Sequence, residues 1–124
     1  MNQKFNFKLD ELLQGNPSKV DENYSCYKKF ETQGNIRNLV LIWPDGKEKN
    51  CNYAYLVTTE YLPEEGKITL FFTSETIVIT GVNLTELHHD LRYQLLEEII
   101  AIDKRYATTL PNNESVVFDI TVSE

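Results

Sequence analysis

Residues 83–105 read NLTELHHDLRYQLLEEIIAIDKR, and the fold depends on whether this stretch is one helix. Its start has the form of a cap. Asn83 offers a side-chain acceptor, Glu86 stands three residues on, and Val82 and Leu87 flank the cap as an apolar pair. Lys104 and Arg105 lie where cations favour a helix C-terminus. At about 100° per residue, Leu84, Leu87, Leu91, Leu95, Ile99 and Ile102 fall in one apolar band. The pattern predicts a helix over about 84–105, packed on a sheet through that band.

A second stripe, Tyr93, Leu96 and Ile100, lies beside the first at helical spacing, and one sheet does not easily cover both. Either the N-terminal segment folds over it or another subunit does. A twofold contact along this helix is the first assembly to expect, because dimers are the commonest closed oligomers. His89 projects towards this second stripe. His88 projects into the first band, as does Glu98, an unusual place for a carboxylate without a partner. His88-His89-Asp90 diverge around a helix, so the three side chains do not converge on one ion or form a relay. His88 and Glu98 are therefore candidate ligand-binding residues, and no metal site is expected.

Before this stretch the chain alternates. Leu39–Trp43 has the β-branched and aromatic content of a strand, and Pro44-Asp45-Gly46 follows as a tight turn. A second strand is expected over 52–59, ended by Pro63-Glu64-Glu65-Gly66. Ile68, Leu70 and Phe72 then alternate, and Ile77 and Ile79 continue the pattern beyond Thr73-Ser74-Glu75. After the expected helix, Val116, Phe118, Ile120 and Val122 alternate as a last strand over about 116–122. The reading is α+β: an antiparallel meander or small barrel of five to six strands, packed by one long helix and followed by a final strand. Tyr53, Tyr55 and Tyr61 share one parity of the second strand and its extension. With Trp43, they are candidates for an aromatic binding face, since Tyr and Trp bury large area at small entropic cost.

Residues 1–34 admit two readings. Phe5, Phe7 and Leu9 alternate as a short strand. Asn16 and Pro17 then open a helix through Val20, Tyr24 and Tyr27 to Gly34, or Tyr24, Cys26 and Phe30 belong to an extended arm. No linker or repeat divides residues 1–124, which are expected to form a single domain able to bury about two-thirds of its surface.

Twelve Lys and Arg against 19 Asp and Glu give a formal charge of −7. That balance disfavours nucleic acid and anionic membranes, because phosphate contacts need clustered cations. The chain has no signal-like start and only two cysteines, so a cytoplasmic location with reduced thiols is expected. There is no glycine-rich phosphate loop, nucleophile elbow or Cys-x-x-Cys pair, so neither a cofactor nor a catalytic residue is assigned. The expected function is non-enzymatic protein interaction, with self-association through Tyr93, Leu96, Ile100 and His89 and aromatic contacts by Trp43, Tyr53 and Tyr55. The alternative is a small-molecule-binding protein or small enzyme with a pocket near His88 and Glu98.

Overall fold

A computed structural model of the protein describes residues 24–30, 37–107 and 113–124. Among these residues, eight strands form two four-stranded sheets. The first sheet has the order β1 (Tyr27–Lys29), β7 (Leu96–Ile100), β2 (Asn38–Ile42), β3 (Glu48–Asn52). The second has the order β4 (Leu56–Leu62), β5 (Lys67–Phe72), β6 (Thr76–Val82), β8 (Val116–Ser123). Helix α1 (Thr85–Arg92) follows β6, and a single turn, α2 (Lys104–Ala107), follows β7. The class is α+β. Neighbouring strands are antiparallel except β2 and β7, which run parallel, so the first sheet is mixed and not the antiparallel meander expected.

The predicted long helix does not form. It stops after two turns because Gln94 adopts a left-handed conformation, φ 57°. The Leu95 amide then donates to the Asp90 carbonyl at 3.0 Å and the Gln94 amide to the Leu91 carbonyl at 2.9 Å. This is the paired closure that ordinarily uses glycine at the left-handed position. Beyond it, Leu96–Ile100 becomes an inner strand, where adjacent Ile side chains pack well on a pleated surface. Glu97 and Glu98 together fill a single step of the β1 register, between Lys28 and Lys29. That bulge keeps Leu96 and Ile99 both in the core.

The expected cap differs too. Asn83 has φ 56°, and its Nδ2 donates to the Glu114 carbonyl at 2.9 Å. Leu84 occupies the cap position with no side-chain cap bond. The strand expected over 52–59 is interrupted by a 3-10 turn at Tyr53–Tyr55, where Asn52 Oδ1 accepts from the Ala54 amide at 2.8 Å. The turn carries the chain from the first sheet to the second. In β8, Phe118 is skipped in the pairing with β6, so Val117 and not Phe118 enters the core. The helix reading of 16–34 fails over Tyr27–Lys29, which are extended. The rest of that reading, and the strand at Phe5–Leu9, lie outside the described residues.

Both predicted turns are present. Gly46 has φ 96° and its amide donates to the Trp43 carbonyl at 3.0 Å. Gly66 has φ 62°, and a Cβ there would overlap the Gly81 carbonyl oxygen, so glycine is required on two counts. One apolar cluster lies between the sheets: Leu39 and Leu41 from β2, Leu96 and Ile99 from β7, Ile68 and Leu70 from β5, and Ile77 and Ile79 from β6. Leu84, Leu87 and Leu91 bring one face of α1 and its cap into that cluster. Each such side chain contributes about 1.5–3 kcal/mol when fully buried.

Candidate functional site

The two ligand-binding candidates have different surroundings. His88 leaves α1 towards β4: its Nε2 lies 3.4 Å from Thr59 Oγ1, and its ring centroid is 5.0 Å from that of Tyr61. The Tyr61 hydroxyl in turn lies 3.1 Å from Thr85 Oγ1. Desolvation, and then Arg92 and His89, hold the His88 pKa below its ordinary value. The ring is therefore neutral at pH 7, and no described carboxylate orients its second nitrogen. A nucleophile and base need that third group and a shorter contact. Glu98 sits in β7, opposite Lys28 in β1 and Val40 in β2. The neighbours of His88 come from β4, so the geometry does not assemble the two as a pair.

His89 and Asp90 belong to another cluster. His89 Nδ1 lies 3.3 Å from Asp90 Oδ1, and Lys29 Nζ lies 3.6 Å from Asp90 Oδ2. Burial, followed by the negative charge of Asp90 and Glu86, pushes the Tyr27 phenol above its usual range. The nearly buried Asp90 thus ties α1 to β1. Among the described residues, no group of three or more His, Cys, Asp or Glu is arranged to hold a metal ion. Cys26 and Cys51 are free and buried. Burial pushes the Cys26 thiol up to about 12 and raises Cys51 as well, which leaves both as poor nucleophiles.

The proposed interface residues disperse. Leu96 is buried in the core, Ile100 is half-buried in β7, and only Tyr93 of that stripe is well exposed. A helical stripe of the three does not exist, because Leu96 and Ile100 lie on a strand. His89 keeps company with Tyr93, ring centroids 5.2 Å apart. Two aromatic candidates hold the frame together. The Tyr53 hydroxyl donates to the Leu96 carbonyl at 2.7 Å, and Trp43 Nε1 donates to the Ile120 carbonyl at 2.9 Å. Tyr55 alone of those three is well exposed.

The sheet margins supply what the side-chain clusters lack. A sheet margin presents unpaired amides and carbonyls, and proteins blunt it with short strands, lysines, bulges or a cover. β1 is three residues long and carries Lys28 and Lys29. β3 reads Glu-Lys-Asn-Cys-Asn, charged and amide-rich. β8 is covered: Val117 bridges to Ala101, the Ile102 amide donates to the Val117 carbonyl at 2.9 Å, and Trp43 reaches Ile120.

β4 is different. Its seven residues, Leu-Val-Thr-Thr-Glu-Tyr-Leu, contain no lysine or proline, and no described strand pairs with its outer side. Among the described residues a bulge at Val57 is its only blunting device; from Thr58 to Leu62 the register with β5 is unbroken. Large apolar groups stand open along it: Val57 is 63% exposed, Tyr55 58%, Leu62 38% and Phe71, across from Thr58, 37%. Of these, only Tyr55 was marked by sequence reasoning. Val57, Leu62 and Phe71 were missed because a strand's place in its sheet is a property of pairing, not of its own residues. The one available signal was a strand with neither lysine nor proline within it.

No helix among the described residues is long and apolar enough to cross a membrane. Comparison with protein-family models, with curated proteins and with solved structures finds no match for this chain.

Proposed function

We propose that this chain is a non-enzymatic protein-interaction domain that receives its partner along the outer side of β4 and the apolar groups beside it. The observation that carries the reading is the contrast among the sheet margins: three are short, charged or covered, whereas β4 is long, uncharged but for Glu60, and flanked by exposed Tyr55, Val57 and Phe71. Exposed apolar residues scattered singly are ordinary, but a contiguous group at an open margin marks a binding surface. The polar clusters around His88 and Asp90 supply no activated nucleophile, which favours binding over catalysis. Two buried, unbonded thiols suit a reducing compartment and support a cytoplasmic location.

Display of random peptides against the intact protein, followed by amide chemical-shift mapping of the selected peptides, tests this. The expected perturbations centre on Tyr55–Leu62 and Phe71, and a Val57→Glu/Phe71→Glu variant with an unchanged melting midpoint loses them. Selected peptides that map to the His88–Tyr93 side, or that bind the double variant equally well, overturn it.

A further inference from the structure

We infer that the occupant of β4 is an extended, cationic segment of another protein, added to the second sheet as a fifth strand; this rests on the interaction reading above. From Thr58 to Leu62 the register with β5 runs one to one as far as Lys67, so five residues form a straight template. At about 3.3 Å per residue, it matches an ordinary strand in length. Backbone pairing along such a margin supplies affinity, and alternate side chains supply selectivity.

The segment that carries the template is itself acidic. Residues 53–66 contain Glu60, Glu64 and Glu65 and no Lys or Arg. Lys67, opposite Leu62, offsets Glu65 at 3.9 Å, and Lys49 pairs with Glu75 at 3.1 Å. Glu60 and Glu64 enter no ion pair among the described residues. Opposite charges facing each other across strands stabilise pairing, and like charges oppose it. A segment that alternates apolar and basic residues therefore fits this margin. The other margins fit it less well: β1 is three residues long and its Lys28 and Lys29 pair with Glu97 and Asp90, and β3 carries Lys49, paired with Glu75, beside Glu48. A second copy fits less well, since pairing β4 with β4 brings two Glu60-bearing strands together.

The probe is a fluorescein-labelled heptapeptide alternating Val and Lys, with a Val/Glu peptide and a Val/Lys peptide carrying a central proline as controls. Anisotropy with the full chain is expected to give saturable binding of the Val/Lys peptide. It should be at least about tenfold tighter than the Val/Glu peptide and weaken with added salt. The proline control, which removes a ladder amide, should bind at least about tenfold more weakly. Glu60→Lys should do the same while its melting midpoint stays in place, and Glu60→Gln should lie between. Equal binding of the proline control, or of Glu60→Lys, overturns strand addition. Display-selected peptides that still map to Tyr55–Leu62 would then leave the interaction reading standing. A reversible dimer in sedimentation that Glu60→Lys strengthens makes a second copy the occupant and overturns the inference as well.

Discussion

β4 and β8 close the same sheet from opposite sides and are nearly equal in length, seven residues against eight. β8 has its free side taken up by the chain itself. The backbone leaving β7 bridges to Val117, the Trp43 indole donates to Ile120, and the Lys104 ammonium lies 5.6 Å from the Phe118 ring. Among the described residues, β4 has no comparable cover, and its outward groups are threonine, one glutamate and exposed apolar side chains. Leaving a strand margin open invites association. Among the described residues, one margin is covered by three separate contacts and the other by none of that kind, which is the contrast the proposed interaction rests on.

That contrast breaks most readily at Gly81, where β6 meets β8. A Cβ at Gly81 would overlap the Val116 carbonyl oxygen, so Gly81→Ala forces the backbones apart. A loss of about 3 kcal/mol in urea unfolding is expected, the upper range for overpacking. Next comes Trp43→Phe, which keeps an aromatic ring, though a smaller one, and removes the donor to Ile120. An expected loss of about 1–2 kcal/mol reflects the stranded carbonyl. The same variant exposes β8, so light scattering should detect more association than in the parent. If Trp43→Phe associates no more than the parent, the indole is not what guards β8.

The partition of the chain into two sheets depends on where α1 ends. Gln94→Gly relieves a left-handed non-glycine residue and should stabilise the fold by about 1 kcal/mol. Destabilisation by that substitution would mean the side chain of Gln94 matters more than its backbone angle. The smallest stability effect belongs to β4 itself. Leu62→Lys lies at an exposed site and should change stability by no more than about 0.5 kcal/mol. It should nevertheless abolish binding of the Val/Lys peptide, because it installs the device that protects β1 and β3.

Much of the strand pattern was legible in the sequence because its punctuation is local. Pro44-Asp45-Gly46 and Pro63–Gly66 announce their own turns, and beyond them Ile68 and Leu70, then Ile77 and Ile79, alternate on either side of Thr73-Ser74-Glu75. The long helix was misread because Leu84, Leu87 and Leu91 set a helical period that Leu95, Ile99 and Ile102 happen to continue. The chain breaks at Gln94, a residue with no intrinsic preference for the left-handed region that closes the helix. β7 was hidden for the same reason: Leu96 and Ile99 are three apart, a helical spacing, and only the bulge at Glu97–Glu98 reconciles them with a strand. In β8, the step over Phe118 likewise exchanges which residues face the core. The candidate site was legible only at Tyr55. Trp43 and Tyr53 are aromatic for a structural reason, each holding a distant backbone carbonyl, and nothing local distinguishes such a residue from a binding one.

Backbone amide exchange, measured residue by residue on the intact protein with and without the Val/Lys heptapeptide, tests the open-margin account most directly. Alternate amides of an end strand point away from its neighbour. Within Thr58–Leu62, those amides are expected to exchange rapidly in the free protein and to slow when the peptide is present. The amides of β8 that pair with β6 should be slow in both conditions, and no β8 amide should respond to the peptide. Slow exchange throughout Thr58–Leu62 in the free protein, or slowing by the peptide at β1, β3 or β8 in place of β4, would contradict the account.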